Sequence, residues 1–360
     1  MNRNIYQRRD GRFEARLSLG KDENGKRHYR SFYGSTYAEA ENKLLSVQEK
    51  HCFDISLTEI TVKELSYEYL QVVRARLKES SIANYSMKLE KHIIPELGNI
   101  TCCLLRSSDV SEFIDRKLKS GLSARYVSDI VVLLKSIFRY ASRTYGIKNP
   151  TEAIAMSKRT KTEIEILNSD QQTKLLNYLR GSISLTSLGI CISLYTGIRI
   201  GELCALQWRD IDFDNCTIKI SKTIQRIQHN VGNKKTKLII TEPKSQSSVR
   251  TIPIPRFLME MLCKAKSSSE CFVLSGNNKP VEPRAMQYRF AKLLKKVNLP
   301  SVHFHSLRHA FATNCIALGF DVKTLSEILG HSSVEITLNR YVHSSMDRKR
   351  AYMGLLKWAA

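Results

Sequence analysis

Arginine and histidine recur at three places in the second half of the chain, in patterns suited to gripping an anion. In TGIRIGELCALQW, Gly197 and Gly201 bracket Arg199 and set a guanidinium at the mouth of a helix anchored by Leu203 and Leu206. A free helix N-terminus and an arginine together make an anion site, although an arginine beside glycine is ordinarily a surface residue. In HFHSLRHAFATNCIALG, His305 and Arg308 stand three apart and share a helical face. A planar guanidinium donates two parallel bonds to a phosphate, while an imidazole donates one and exchanges a proton. Phe311, Ile316 and Leu318 supply the buried side of that helix, and His309 is expected to point elsewhere, in a structural or supporting role. In LSEILGHSSVEITLNRYVH, His331 follows Gly330 at a helix end, and Tyr341 lies ten residues further on beside Arg340. A single tyrosine in such a place ordinarily packs. Next to two arginines and two histidines, its phenol becomes the good oxygen nucleophile for a bound phosphate.

Three kinds of segment must position these groups. Over residues 1–50, NIYQRR, GRFEARLSL and KRHYRSFY alternate in polarity and are separated by turn chemistry at Asp10-Gly11 and LGKDENGK, which predicts a three-stranded antiparallel sheet. TYAEAENKLLSVQEK then reads as a helix with Thr36 as N-cap. The strands mix Arg12, Arg16, Arg27 and Arg30 with Tyr29 and Tyr33, a face suited either to solvent or to DNA. Residues 60–150 carry four apolar patterns of helical period, bounded by Pro95, Gly98, Gly121, Gly146 and Pro150, with Ser108 and Ser123 as expected N-caps. SKRTKTEIEI (157–166) has no periodic face and reads as a linker. Beyond it, NSDQQTKLLNYLRG and SLTSLGICISLYTG are helical, followed by a helix through Gly201–Trp208. CTIKISKTIQRI, TKLIIT and VRTIPI alternate like strands of one antiparallel sheet, and helices return from Arg256 onward.

The bulk properties fit an anionic partner. The 360 residues hold 57 Lys+Arg against 34 Asp+Glu, a formal charge of +23, in a chain long enough for two or three domains. Such an excess repels itself unless a polyanion binds, which favours nucleic acid over an anionic membrane surface or an acidic protein. Nine cysteines, an odd number with no C-x-x-C pair, fit free thiols in a reducing compartment better than disulfides or zinc. No apolar run is long enough to span a bilayer and no secretory signal is visible, so a cytoplasmic protein is expected.

The order TGIRIGEL, EPKSQSSVRTIPI, HSLRHAFAT, LGHSSVEITLNRY resembles the tyrosine recombinase (phage-type integrase) family, including integrases of phages and integrative conjugative elements, over about residues 165–345. The resemblance implies catalytic roles for Arg199, Lys244, His305, Arg308, His331 and Tyr341, with Glu202 at a supporting acidic position. Tyr341 would form a 3′-phosphotyrosyl link, Lys244 would protonate the leaving 5′-oxygen, and His305 would assist proton transfer at the nucleophile. It further implies a multidomain fold: an arm-type DNA-binding α+β domain (1–55, three-stranded sheet plus helix), an all-α core-binding domain (60–156), and a mainly α catalytic domain with a small antiparallel sheet (165–360). Neither cofactor nor metal is implied. The implied partners are double-stranded DNA with core-type and arm-type sites and, from a free monomer, a homotetramer in the synaptic complex, with an excisionase and a host DNA-bending protein as further candidates. The setting is a bacterial cytoplasm, where the enzyme would integrate and excise a mobile element. Tyr352, Met353, Leu355, Leu356 and Trp358 are too apolar for a free tail, and are expected to pack either on their own domain or on a neighbouring protomer. Two rivals remain at this point: a type IB topoisomerase, which would relax supercoils with a similar residue set, and a non-enzymatic regulator reading DNA through a helix-turn-helix at VKTLSEILGHSSVEITLNRY.

Overall fold

The computed structural model describes residues 5–8, 10–21, 27–51, 60–154, 165–181, 184–231, 234–243, 246–341, 350 and 353–354. The chain divides into two compact units, 1–160 and 161–360. Lys244, nearly all of the 157–166 linker, and Tyr352, Leu355, Leu356 and Trp358 lie outside the described residues. No helix among the described residues is long and apolar enough to cross a membrane.

The first unit begins with the expected sheet. Strands β1 (Ile5–Gln7), β2 (Phe13–Lys21) and β3 (Arg27–Gly34) pair antiparallel in that order, and α1 (Tyr37–His51) follows. Alternation along β2 sends Ala15 to a small core with Ala40 and Leu44, edged by Phe13. Glu14 and Arg16 alternate to the other face, where Arg16 lies 4.9 Å from the centre of the Tyr6 ring and Arg8 lies 5.4 Å from that of Tyr33. Ion pairs Arg12–Asp10 and Arg16–Glu14 lie there as well.

The helical part comprises α2 (Val62–Arg74), α3 (Glu79–Lys88), α4 (Ile94–Leu97), α5 (Ser107–Lys119) and α6 (Ala124–Tyr145). Thr61 and Glu64 cap the start of α2 reciprocally, and Ser123 caps α6 as expected. Two boundaries differ from the sequence reading. Pro95 sits inside a nearly continuous helix, because a π turn at Leu89–Ile93 widens the backbone just before the ring that cannot donate its own bond. At α5 it is Asp109, not Ser108, that closes the first turn, by accepting the Arg106 N–H at 2.8 Å. Leu65, Phe113, Ile130, Leu134 and Phe138 are fully buried between these helices. Each such side chain contributes about 1.5–3 kcal/mol to holding the bundle.

The second unit is built on α8 (Leu185–Thr196), an apolar helix buried on almost every side, with α7 (Ser169–Gly181) and α9 (Ile200–Ala205) on either side of it in sequence. The strands β4 (Ile211–Asp212), β5 (Thr217–Ile220), β6 (Thr223–Val231), β7 (Lys234–Thr241) and β8 (Arg250–Pro253) follow. They form two sheets rather than one: β4-β5-β8 and the hairpin β6-β7. The segment CTIKISKTIQRI is split between β5 and β6, and β8 returns past the hairpin to pair with β5, placing Ile218 opposite Ile252 in the core. The helices α10 (Arg256–Ala265), α11 (Pro283–Lys296), α12 (Ser306–Ala317), α13 (Val322–Leu329) and α14 (Val334–Tyr341) complete it. The helix expected through Trp208 ends at Ala205, and Trp208 starts a single 3₁₀ turn.

Candidate active site

Two left-handed glycines aim the backbone into the site. Gly197 (φ 63°) ends α8 and Gly330 (φ 65°) ends α13. A Cβ on Gly197 would approach Phe311 Cδ1 to 2.4 Å, so both the conformation and the space require glycine there. Beyond Gly197, Arg199 is the N-cap of α9. The helix start is not the free anion site its sequence suggests. Glu202 fills it: its carboxylate accepts the Arg199 backbone N–H at 3.0 Å and the Arg199 Nη1 at 2.8 Å.

The carboxylate of Glu202 also accepts from Arg250 Nη2 at 2.9 Å. Burial alone would raise this carboxyl, but Arg250 and Arg199 outweigh it and hold Glu202 below the usual carboxylate range. Arg250 opens β8, and the sequence reading did not single it out. The only signal was a charged residue leading the strand pattern VRTIPI.

Three successive carbonyls at the end of α13 receive three guanidiniums. Arg250 Nε donates to Ile328 O at 2.6 Å, Arg308 Nη2 to Leu329 O at 2.8 Å, and Arg199 Nη2 to Gly330 O at 3.0 Å. Arg308 spans further, donating from Nη1 to Gly197 O at 2.7 Å, and so ties the two glycine corners together. It is 2% exposed, and burial pushes it down to about 9, which still leaves it charged at neutral pH. Carbonyls at a helix C-terminus carry partial negative charge, so the arginines are positioned without being neutralised. Each guanidinium has five N–H donors and keeps some for a ligand.

Tyr341, the last residue of α14, is 8% exposed and joins Phe311, Leu325 and Leu329 in a small apolar cluster. Its ring lies parallel to that of His331, 6.4 Å between centres. His331 Nδ1 is 2.8 Å from the Thr337 hydroxyl, which fixes its ring. The phenol oxygen is 2.8 Å from His309 Nδ1. His309 therefore does not point away: one turn beyond His305 on α12, it meets the tyrosine directly, while His305 packs edge-on against it at 4.8 Å between centres. Of the six residues picked from sequence, Arg199, His305, Arg308, His331 and Tyr341 gather here, and Lys244 falls among residues outside the description, between β7 and β8.

Burial raises the Tyr341 phenol, and this outweighs the opposite pull of Arg308 and Arg340, so the free protein holds it protonated. Burial, then neighbouring positive charge, lowers all three imidazoles: His305 to about 4, His309 to about 4 and His331 to about 3. These shifts give a testable pH dependence. The folded rings resist protonation until about 4, whereas unfolded histidine takes a proton near 6.5. The unfolded state thus binds more protons in that window, and stability is full above 6.5 and falls as pH drops toward 4. For buried His309 the loss is on the order of 2 kcal/mol at pH 5. Thermal melts of the free protein at pH 7 and pH 5 should differ less in His309→Asn than in the unsubstituted protein; an equal difference would show that His309 is not held neutral.

Comparison with known proteins identifies the family. Residues 165–348 match the phage integrase family, and residues 61–118 match the N-terminal SAM-like domain of phage integrases. The chain belongs to the phage integrase family, and is a site-specific tyrosine recombinase of the integrase type. It is 29% identical to a tyrosine recombinase XerC-like protein of Caldanaerobacter subterraneus, over 92% of each chain. It is 28% identical to the transposase from transposon Tn916 of Enterococcus faecalis, over 72% of this chain and 69% of that one. Among solved structures, a Tn1549 transposon integrase in complex with transposon right end DNA superposes with a TM-score of 0.70 at 28% identity, covering 82% of this chain and 99% of that one. A lambda integrase dimer shares the fold at a TM-score of 0.60 and 18% identity, covering 100% of this chain and 97% of that one.

Proposed function

We propose that this chain binds double-stranded DNA and exchanges strands at specific sites of a mobile element, with Tyr341 as the nucleophile. The observation that carries this reading is the charge of the site. Arg199, Arg250, Arg308 and Arg340 surround the phenol and the imidazoles, with Glu202 as the buried carboxylate among them. A phosphodiester would supply the missing negative charge. Transfer of a phosphoryl group then needs position and electrostatics more than covalent help.

In this reaction Tyr341 Oη attacks the phosphorus, the bond to the 5′-oxygen breaks, and a 3′-phosphotyrosyl link forms. Arg199 and Arg308 grip the non-bridging oxygens, His331 bonds one of them, and His305, packed against His309, assists proton transfer at the nucleophile. Lys244 protonates the leaving 5′-oxygen. The link conserves the bond energy, so a 5′-hydroxyl from a second duplex reverses the step. The integrases named above support DNA as partner, and the lambda integrase tetramer on a Holliday junction supports a homotetramer at synapsis. Residues 1–55 would serve as the arm-type module, using the face that carries Arg8, Arg12, Arg16, Tyr6 and Tyr33; 60–156 would hold the core site and 165–360 would carry the chemistry. An excisionase and a host DNA-bending protein would act as accessory partners in a bacterial cytoplasm.

The test is a nicked suicide duplex, on which cleavage traps the protein covalently. The unsubstituted protein should accumulate adduct. Lys244→Ala should cleave ordinary DNA about 10²-fold or more slowly, in keeping with the usual worth of a general acid. It should regain most of that rate on a 5′-phosphorothiolate, whose leaving group needs little protonation. Equal slowing on both substrates would make Lys244 a phosphate binder instead.

A further inference from the structure

Among the described residues, the phenol oxygen of Tyr341 has one hydrogen bond, to a histidine, with two arginines nearby. Arg308 and Arg340 lie close enough to pull its pKa down. Guanidinium has no acceptor, so neither arginine can take the phenol's proton. The hydrogen-bond partner at 2.8 Å that can accept it is His309 Nδ1. His309 is 3% exposed, and its other nitrogen, Nε2, is buried with no hydrogen-bond partner. Among the described residues the ring therefore has one hydrogen bond, and that bond is to the nucleophile.

Resting on the reading of Tyr341 as nucleophile, we infer that His309 is a catalytic residue, the acceptor of the Tyr341 proton during strand cleavage. As Oη forms its bond to phosphorus, the O–H bond breaks and the proton passes to Nδ1, giving a buried imidazolium. The P–O5′ bond breaks and the 5′-oxygen takes a proton from a separate donor. On rejoining, the 5′-hydroxyl attacks, the phenolate leaves, and Nδ1 returns its proton. The arrangement gates itself on substrate. In the free protein, burial and then the charges of His305, Arg340 and Arg308 keep His309 neutral, with its acceptor lone pair available. An arriving phosphate offsets the guanidinium charge and strengthens the acceptor when it is needed. The imidazolium has no second partner for Nε2–H, so the proton is held only briefly. His305, assigned to this task from sequence, is next to the acceptor rather than on the phenol.

The experiment uses the full chain on the nicked suicide duplex, in single turnover. His309→Asn places a carbonyl oxygen near the position of Nδ1, keeping a hydrogen-bond acceptor that cannot hold a proton. DNA binding should stay near that of the unsubstituted protein while cleavage falls on the order of 10²-fold. Replacing Tyr341 by a ring-fluorinated tyrosine, whose phenol ionises near neutral pH, should shrink that defect to less than tenfold, since little help with deprotonation is then required. A defect of the same size with either phenol would make His309 a positioning residue, and an unchanged rate in His309→Asn would remove it from the chemistry; either overturns the inference. If His309→Asn fails to fold, His309→Gln is read in the same way. Adduct formation that persists in Tyr341→Phe would instead overturn the nucleophile itself, so the two failures are separable.

Discussion

Tyr341→Phe should abolish the covalent protein–DNA adduct on a nicked suicide duplex while leaving DNA affinity within about twofold of the unsubstituted protein. The ring stays in its apolar cluster with Phe311, Leu325 and Leu329, so the packing is retained. What is lost is one oxygen and its bond to His309. Leaving His309 Nδ1 unpaired in a buried place costs about 1–3 kcal/mol, so a modest drop in melting temperature is expected and must be separated from the loss of chemistry. Binding at a temperature well below the melt does this. Any adduct formed by the Phe variant at a comparable rate would mean that a different side chain attacks.

Glu202→Gln should be the most damaging change that touches no substrate. The carboxylate is almost fully buried between Arg199 and Arg250, and it also closes the first turn of α9. Removing one partner of a buried charge pair costs about 3–5 kcal/mol, because the remaining charges stay desolvated and uncompensated. In a unit of this size that corresponds to a melting temperature lower by about 10 °C. Cleavage should fall as well, since Arg199 loses the contact that sets its angle. Glu202→Asp, which keeps the charge on a shorter stem, should recover part of the stability. A Gln variant melting with the unsubstituted protein would show that the arginines rest on the α13 carbonyls alone.

The elements of this protein were legible in its sequence where one local rule decided them. The apolar period of SARYVSDIVVLLKSIFRYASR gives α6 almost to the residue, with Ser123 as its cap. Pairing was not legible. Alternation marks VRTIPI as a strand but does not say that it returns to β5 past the β6-β7 hairpin. The candidate site residues were legible for a similar reason: Arg199, His305, Arg308, His331 and Tyr341 are few, charged or polar, and set among apolar neighbours. His309 was misread because its direction is decided by where α14 packs on α12. The helical spacing from His305 permitted the contact without demanding it. Arg250 escaped notice since its partners, Glu202 and Ile328, lie 48 and 78 residues away. Such a contact leaves no periodic trace.

At the end of α13, Ile328, Leu329 and Gly330 offer their carbonyls to Arg250, Arg308 and Arg199, so one short backbone stretch sets the aim of three cations drawn from three distant stretches of chain. A small rotation of that helix would shift one anchor of all three together. Activity is then expected to respond in an all-or-none fashion to anything that pushes α13, whether a substitution on its outer face or a neighbouring molecule leaning on it.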